Sequence, residues 1–187
     1  MSAGEGERTF RIVGERPIWS GRIVVAMAEV EGPDGSRHDR EVVHHPGAVG
    51  VVPVHEDGSV TLVRQYRAPV DADLWEVPAG LRDVDGEPTA ATAERELAEE
   101  AGLRAERLDH LVTFHNSPGF SDEEVVVYEA TGLTEVPDDR HGIEEQHMLV
   151  ERVPLSVALA MVDDGRITDA KTLIALLSVA RRRMSRG

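Results

Sequence analysis

The chain contains no cysteine, which removes disulfides, thiolate catalysis and cysteine-ligated zinc together. Lys171 is its only lysine, so positive charge rests almost wholly on arginine, a bias ascribed first to genome composition. Aromatic residues make up only 4% of the sequence, so Trp19, Trp75 and Phe120 are expected in cores or interfaces before stacking platforms. Basic residues are outnumbered, giving a formal net charge of -15 and a pI near 4.9. That balance argues against a binder of nucleic-acid backbones, which needs a basic face. It does not exclude a small anionic substrate, because bound divalent cations invert the local sign. No apolar run reaches the length of a membrane span, and the opening MSAGEGERTFRIV lacks a basic stretch followed by an apolar one. No membrane partner is expected, and cytoplasmic residence is.

What is present suits a globular chain. Its 187 residues, 41% of them hydrophobic, are enough for one main domain and a small appendage. β-Branched stretches at 9–13, 22–30 and 39–45, with Gly32-Pro33-Asp34-Gly35 as a turn, predict a small antiparallel sheet over residues 1–46. A sheet that small needs a neighbour. From Gly47 to residue 187 the pattern is mixed α/β. Strands are predicted at 47–54, 59–66, 74–77, 108–114 and 124–130, and helices at 155–163 and 169–182, the last capped by Thr168.

The stretch from Gly80 to Leu103, GLRDVDGEPTAATAERELAEEAGL, carries the most chemistry. On a helix, Glu96, Glu99 and Glu100 share one flank, where like charges repel unless a cation neutralises them. Ala90, Ala93, Leu97 and Ala101 form a narrow stripe of mostly small side chains on the other side, which lets the helix lie close to a sheet. Pro88 suits the first turn and Gly102 a left-handed C-terminus. Carboxylate oxygens at this density are hard ligands suited to Mg²⁺ or Mn²⁺, and Mg²⁺ commonly joins carboxylates to substrate phosphates.

These residues resemble the signature of the Nudix hydrolases, G-x5-E-x7-R-E-U-x-E-E-x-G-U, read as Gly80, Glu87, Arg95, Glu96, Leu97, Glu99, Glu100, Gly102 and Leu103. One position departs: six residues, not five, separate Gly80 from Glu87. Pro118, fifteen positions after Leu103, together with Glu76-Val77-Pro78-Ala79-Gly80 and Gln65-Tyr66-Arg67, resembles the group that hydrolyses ADP-ribose.

The resemblance implies an α/β/α sandwich with a mixed sheet, preceded by the small N-terminal sheet, which would take part in a homodimer and in the substrate site. It implies Mg²⁺, with Mn²⁺ as a substitute, held by Glu96, Glu99, Glu100 and the Ala79 carbonyl, and Arg95 orienting the glutamates. Water would cleave the diphosphate of ADP-ribose into AMP and ribose 5-phosphate. Arg67 would hold a phosphate oxygen, and the loop at Pro118 and Gly119 would belong to the substrate site. The general base would be Glu145, with Glu144 the alternative. The positions aligned with the family's adenine-stacking aromatics are Ile23 or Val24, and Arg40 with Glu41. Two other readings stand beside this one: a pyrophosphatase of another nucleoside diphosphate sugar or dinucleotide, and a silent nucleotide-binding regulatory domain, which would be expected to have lost acidic ligands.

Overall fold

The β-branched stretches near the N-terminus form a three-stranded antiparallel sheet in the computed structural model, which describes residues 9–137 and 143–185. Its strands are β1 (Arg11–Ser20), β2 (Val24–Glu31) and β3 (Arg37–His44), with β2 central. The β2–β3 turn closes through Gly35 N–H donating to the Gly32 carbonyl at 3.0 Å, with Gly35 at φ 77, the left-handed conformation that favours glycine there.

By its contacts the chain divides into two compact units. One runs to Pro46 and also takes in Ser117–Glu123; the other holds Gly47–Asn116 and the chain from Glu124 onward. The loop joins the first unit through backbone bonds, Val43 N–H to the Phe120 carbonyl at 2.7 Å and Asp122 N–H to the Val43 carbonyl at 3.2 Å.

The larger unit contains β4 (Ala48–Pro53), β5 (Ser59–Arg67), β6 (Ala72–Glu76), β7 (Ala79–Leu81), α1 (Thr89–Ala101), β8 (Leu103–His115), β9 (Glu124–Glu135), α2 (Ile143–Gln146), β10 (Leu149–Pro154), α3 (Leu155–Asp163) and α4 (Ala170–Met184). Strand order is β7-β4-β9-β8 in one sheet and β10-β5-β6 in the other. The β4–β9 pair is parallel and the remaining pairs antiparallel, so the first of these sheets is mixed.

Why β4 and β9 read as near-continuous apolar runs is plain from their two faces. Val49, Val51, Val126 and Tyr128 pack with Ala93 and Leu97 of α1. Their neighbours Ala48, Val52, Val125 and Val127 pack on the opposite side with Ala158 and Met161 of α3 and Ala175, Leu176 and Val179 of α4. Side chains alternate across a strand, so a sheet covered by helices on both faces needs apolar residues at every position. The α/β/α layering follows. Burying a leucine such as Leu97, fully enclosed here, contributes about 1.5–3 kcal/mol.

Several boundaries differ from the sequence expectation for local reasons. Strands β8 and β9 are longer than predicted, since they pair with each other beyond the core, from Leu103↔Glu135 to His115↔Glu124. The cap of α4 is Asp169, not Thr168: its carboxylate accepts the Thr172 N–H at 3.0 Å. Pro88 takes the N-cap position of α1 with extended backbone, φ -60 and ψ 139, one residue before the first helical turn.

Candidate active site

Strand β7 approaches α1 closely enough to hold two of its glutamates. Glu100, 5% exposed, accepts the Ala79 N–H through Oε2 at 2.8 Å. Glu96, 8% exposed, lies directly over Gly80, where an added Cβ would come within 2.1 Å of its carboxylate carbon. The small residues of the α1 stripe permit this approach: Ala93 is fully buried, and Ala90 and Ala101 pack at the edge of the same cluster. The helix ends at Gly102, φ 61, whose N–H returns to the carbonyls of Ala98 and Leu97.

The extra residue between Gly80 and Glu87 is taken up by a turn. Glu87 N–H donates to the Val84 carbonyl at 3.1 Å, and Gly86, φ 76, occupies the left-handed corner. Glu87 thereby keeps its place beside the helix, accepting the Thr92 hydroxyl at 2.8 Å.

Arg95 collects the acidic groups. Its Nη1 donates to Glu96 Oε1 at 2.7 Å and Glu99 Oε2 at 3.3 Å, and its Nη2 stands 3.5 Å from Glu87 Oε2 and 3.9 Å from Asp83 Oδ1. Burial would lower its pKa, but Glu96, Glu99 and Glu87 outweigh that and raise it. Among the described residues its Nε and Nη2 are shielded from solvent yet make no hydrogen bond.

Glu87, Glu96 and Glu99 thus stand around one guanidinium, with Glu100 on the same helix flank, an excess of hard oxygen donors that fits a divalent cation. As the side chains stand, no three acidic or histidine residues among those described are grouped to share an ion. The local reason is visible in two of the contacts: Glu96 turns toward Arg95 and Glu100 toward the Ala79 amide.

Arg67, expected to hold a phosphate oxygen, donates Nε to Glu76 Oε1 at 2.7 Å and Nη2 to Glu76 Oε2 at 2.6 Å. It also feels the charge of Glu100. Lys171 bonds Glu76 from α4. Sequence reasoning singles out neither Glu76 nor Lys171 as a site residue. The one signal it offers is that Lys171 is the chain's sole lysine.

The remaining substrate candidates lie in the first unit. Ile23, half-buried, ends the β1–β2 turn, where its carbonyl accepts the Gly21 N–H at 2.9 Å. Arg40 and Glu41 are consecutive on β3 and exposed, so they face opposite sides of the sheet and cannot wall one pocket together. Pro118 and Gly119 are exposed in a turn closed by Phe120 and Ser121 N–H groups on the Ser117 carbonyl, at 3.1 and 2.9 Å. Glu144 and Glu145 fall within the short helix α2, but their side chains lie outside what is described.

His44 secures this loop. Its Nδ1 stands 2.7 Å from Asp122 Oδ2 and its Nε2 2.7 Å from Glu15 Oε1, and only an imidazolium donates to both carboxylates. The bonds to Asp122 and Glu15 raise its pKa. Such a group adds stability in full below its unfolded pKa of about 6.5 and loses it as pH rises through the folded value. We expect His44 to titrate above about 6.5 by NMR, and the melting temperature of the native chain to fall relative to His44→Gln as the pH rises beyond about 6.5. A His44 resonance titrating at or below the unfolded value would refute the arrangement.

Residues 44–175 match the family model for the NUDIX domain. The chain belongs to the NUDIX family. Among its relatives, an ADP-ribose pyrophosphatase of Mycobacterium tuberculosis is 41% identical over 92% of this chain and 84% of its own length. Another of that name, from Bacillus subtilis, is 37% identical over 89% and 90%. A methanol dehydrogenase activator of Bacillus methanolicus is 40% identical over 85% and 86%. A crystal structure of an ADP compounds hydrolase superposes with a TM-score of 0.83 at 24% identity, covering 98% of this chain and 99% of that one, a likeness of fold. The NUDIX hydrolases generally require a divalent metal, in keeping with the acidic excess on α1. No helix among the described residues is long and apolar enough to cross a membrane.

Proposed function

We propose that this protein hydrolyses ADP-ribose to AMP and ribose 5-phosphate, with Mg²⁺ as the metal and Mn²⁺ as a substitute. The observation that carries the chemistry is the pair of buried carboxylates, Glu96 over Gly80 and Glu100 on the Ala79 amide, set into one helix face. The substrate rests on the two pyrophosphatase relatives at 41% and 37% identity.

Glu96, Glu99 and Glu100, with the Ala79 carbonyl, would hold the metal, which when bound neutralises the diphosphate and favours ionisation of the attacking water. Arg95 restrains Glu96 and Glu99 by charge-assisted hydrogen bonds, so the carboxylates are ordered before substrate arrives. Arg67 takes a phosphate oxygen with the part of its guanidinium that Glu76 does not use. Glu145 accepts the proton of the water as its oxygen bonds to phosphorus and the bridging P–O bond breaks. Pro118 and Gly119 shape the loop beside the substrate, and Arg40 offers its guanidinium plane to the adenine in place of an aromatic ring, with Ile23 or Val24 as the aliphatic candidates. Glu41, on the other face of β3, serves the site less directly.

A homodimer belongs to the same proposal. Ile12, Ile18 and Trp19 on β1 are 57%, 54% and 54% exposed, apolar surface that a second copy would cover. Sedimentation equilibrium checks it. Cytoplasmic residence is proposed on the ground that nucleotide sugars are intracellular metabolites.

The deciding assay offers ADP-ribose, other nucleotide sugars, NADH, diadenosine polyphosphates and nucleoside triphosphates with Mg²⁺ and identifies the products. No preference for ADP-ribose would leave the second reading, a pyrophosphatase of other nucleoside diphosphates, which the aliphatic and arginine residues at Ile23 and Arg40 favour. A silent regulatory domain is disfavoured because Glu96, Glu99 and Glu100 are all present. Glu145→Gln is expected to keep metal affinity and lower the rate about a hundredfold. A native rate in that variant would move the role to Glu144 or to a hydroxide activated by the metal.

A further inference from the structure

A cluster of four charges lies between the start of α4 and the end of β5. Glu76, at the end of β6, is 1% exposed, and a carboxylate that deep is costly unless paired and hydrogen-bonded. Its oxygens are met by Arg67 Nε and Nη2 on one side and by Lys171 Nζ on the other. Lys171 also donates to Asp169 Oδ1 at 3.0 Å, and Asp169 is the cap of α4. Burial pushes the Glu76 carboxyl upward, but Arg67 and Lys171 overcome it and hold it below the usual carboxylate value.

The cluster differs from an ordinary buried pair in where its two ends lie. Arg67 keeps 39% of its side chain exposed, and among the described residues no acceptor meets its Nη1. It ends β5, a strand that packs against the acidic helix α1, and the charge of Glu100 adds to the groups that raise its pKa. At the other end, the first turn of α4 also grips the strand that leads to the metal ligands. Thr172 Oγ1 accepts the Val77 N–H at 2.9 Å, two residues before the Ala79 amide that holds Glu100. One helical turn therefore anchors both the arginine and the glutamate across from it.

We propose that Lys171 is a positioning residue for the diphosphate site: by holding Glu76 from behind, it fixes the plane of the Arg67 guanidinium, whose remaining edge takes a phosphate oxygen. Without Lys171, Glu76 keeps only Arg67 as a charged partner and is free to turn with it, so the arginine loses its orientation while keeping its charge. This rests on the reading that the site binds a diphosphate.

The test uses the full chain as Lys171→Met and Lys171→Arg, with folding checked by circular dichroism and urea unfolding, and reads the ¹⁵Nε–H resonance of Arg67. In the native protein that proton is bonded to Glu76 and should exchange slowly. In Lys171→Met it is expected to shift and exchange faster, KM for ADP-ribose to rise about tenfold to a hundredfold, and the Mg²⁺ dependence to stay as it was. Arg67→Met should give the same rise in KM, the double variant no further loss, and Lys171→Arg a partial recovery. A folded Lys171→Met with an unchanged Arg67 resonance or unchanged KM overturns the proposal, as do losses that multiply in the double variant. If Lys171→Met does not fold, Lys171→Gln takes its place with the same outcomes. If the native protein leaves ADP-ribose intact, the function reading fails. The Arg67 resonance and its response to inorganic pyrophosphate then still decide the role of Lys171.

Discussion

Glu100→Gln is expected to lower kcat/KM about a thousandfold or more and to weaken metal binding, with the fold intact. The glutamine is the same size, and its carbonyl oxygen still accepts the Ala79 N–H, now 2.8 Å from Glu100 Oε2, so β7 keeps its seat against α1. What disappears is one negative charge from the flank where Glu87, Glu96 and Glu99 gather around a single arginine. With Arg95 unchanged, the balance of that face moves toward the guanidinium, and a divalent cation meets both a lost ligand and a relatively stronger positive neighbour. Calorimetric titration with Mg²⁺, steady-state kinetics and urea unfolding separate the effects. An unchanged metal affinity would remove Glu100 from the ligand set. Loss of stability with proportionate loss of rate would make it a structural acceptor for the strand.

The acidic helix is legible in the amino-acid sequence because its signals are local. Its apolar stripe and closing glycine are periodic, and Ala93, Leu97 and Gly102 behave as that periodicity requires. Helix α3 spans the predicted residues for the same reason. Strand β10 escapes, for Leu149–Pro154 mixes charges with apolar residues and becomes a strand by pairing with β5, a partner more than eighty residues away. The same limit hides Lys171. A lone lysine near a helix start reads as solvated surface, and only the fold brings it to Glu76, ninety-five residues earlier in the chain. The added residue before Glu87 reads as a defect in the signature. It is a turn with Gly86 at its left-handed corner, and the local composition Val84-Asp85-Gly86 is compatible with it.

Gly80→Ala should show the reverse balance from a core mutation, costing activity heavily and stability hardly at all. The added methyl would lie 2.1 Å from Glu96 Cδ and 2.2 and 2.4 Å from its oxygens, distances no pair of atoms tolerates. The atoms it meets are the far end of a flexible side chain, so the carboxylate swings away and the backbone stays. Gly80 does not have a positive φ, and alanine restricts the unfolded chain more than glycine does, so the stability change should lie within about 1 kcal/mol. The displaced Glu96 breaks its 2.7 Å bond to Arg95 and leaves the face it shares with Glu100. A loss of about a hundredfold to a thousandfold in kcat/KM follows from moving a ligand that far out of register. Gly102→Ala is the matching control. At φ 61 alanine is strained by about 1–2 kcal/mol, and the residue is the C-cap, beyond the helical turns that carry the glutamates, so stability should fall while specific activity of the folded fraction holds. Native activity in a folded Gly80→Ala would show that Glu96 works from a different position, and the close approach of β7 to α1 would then be a packing feature alone.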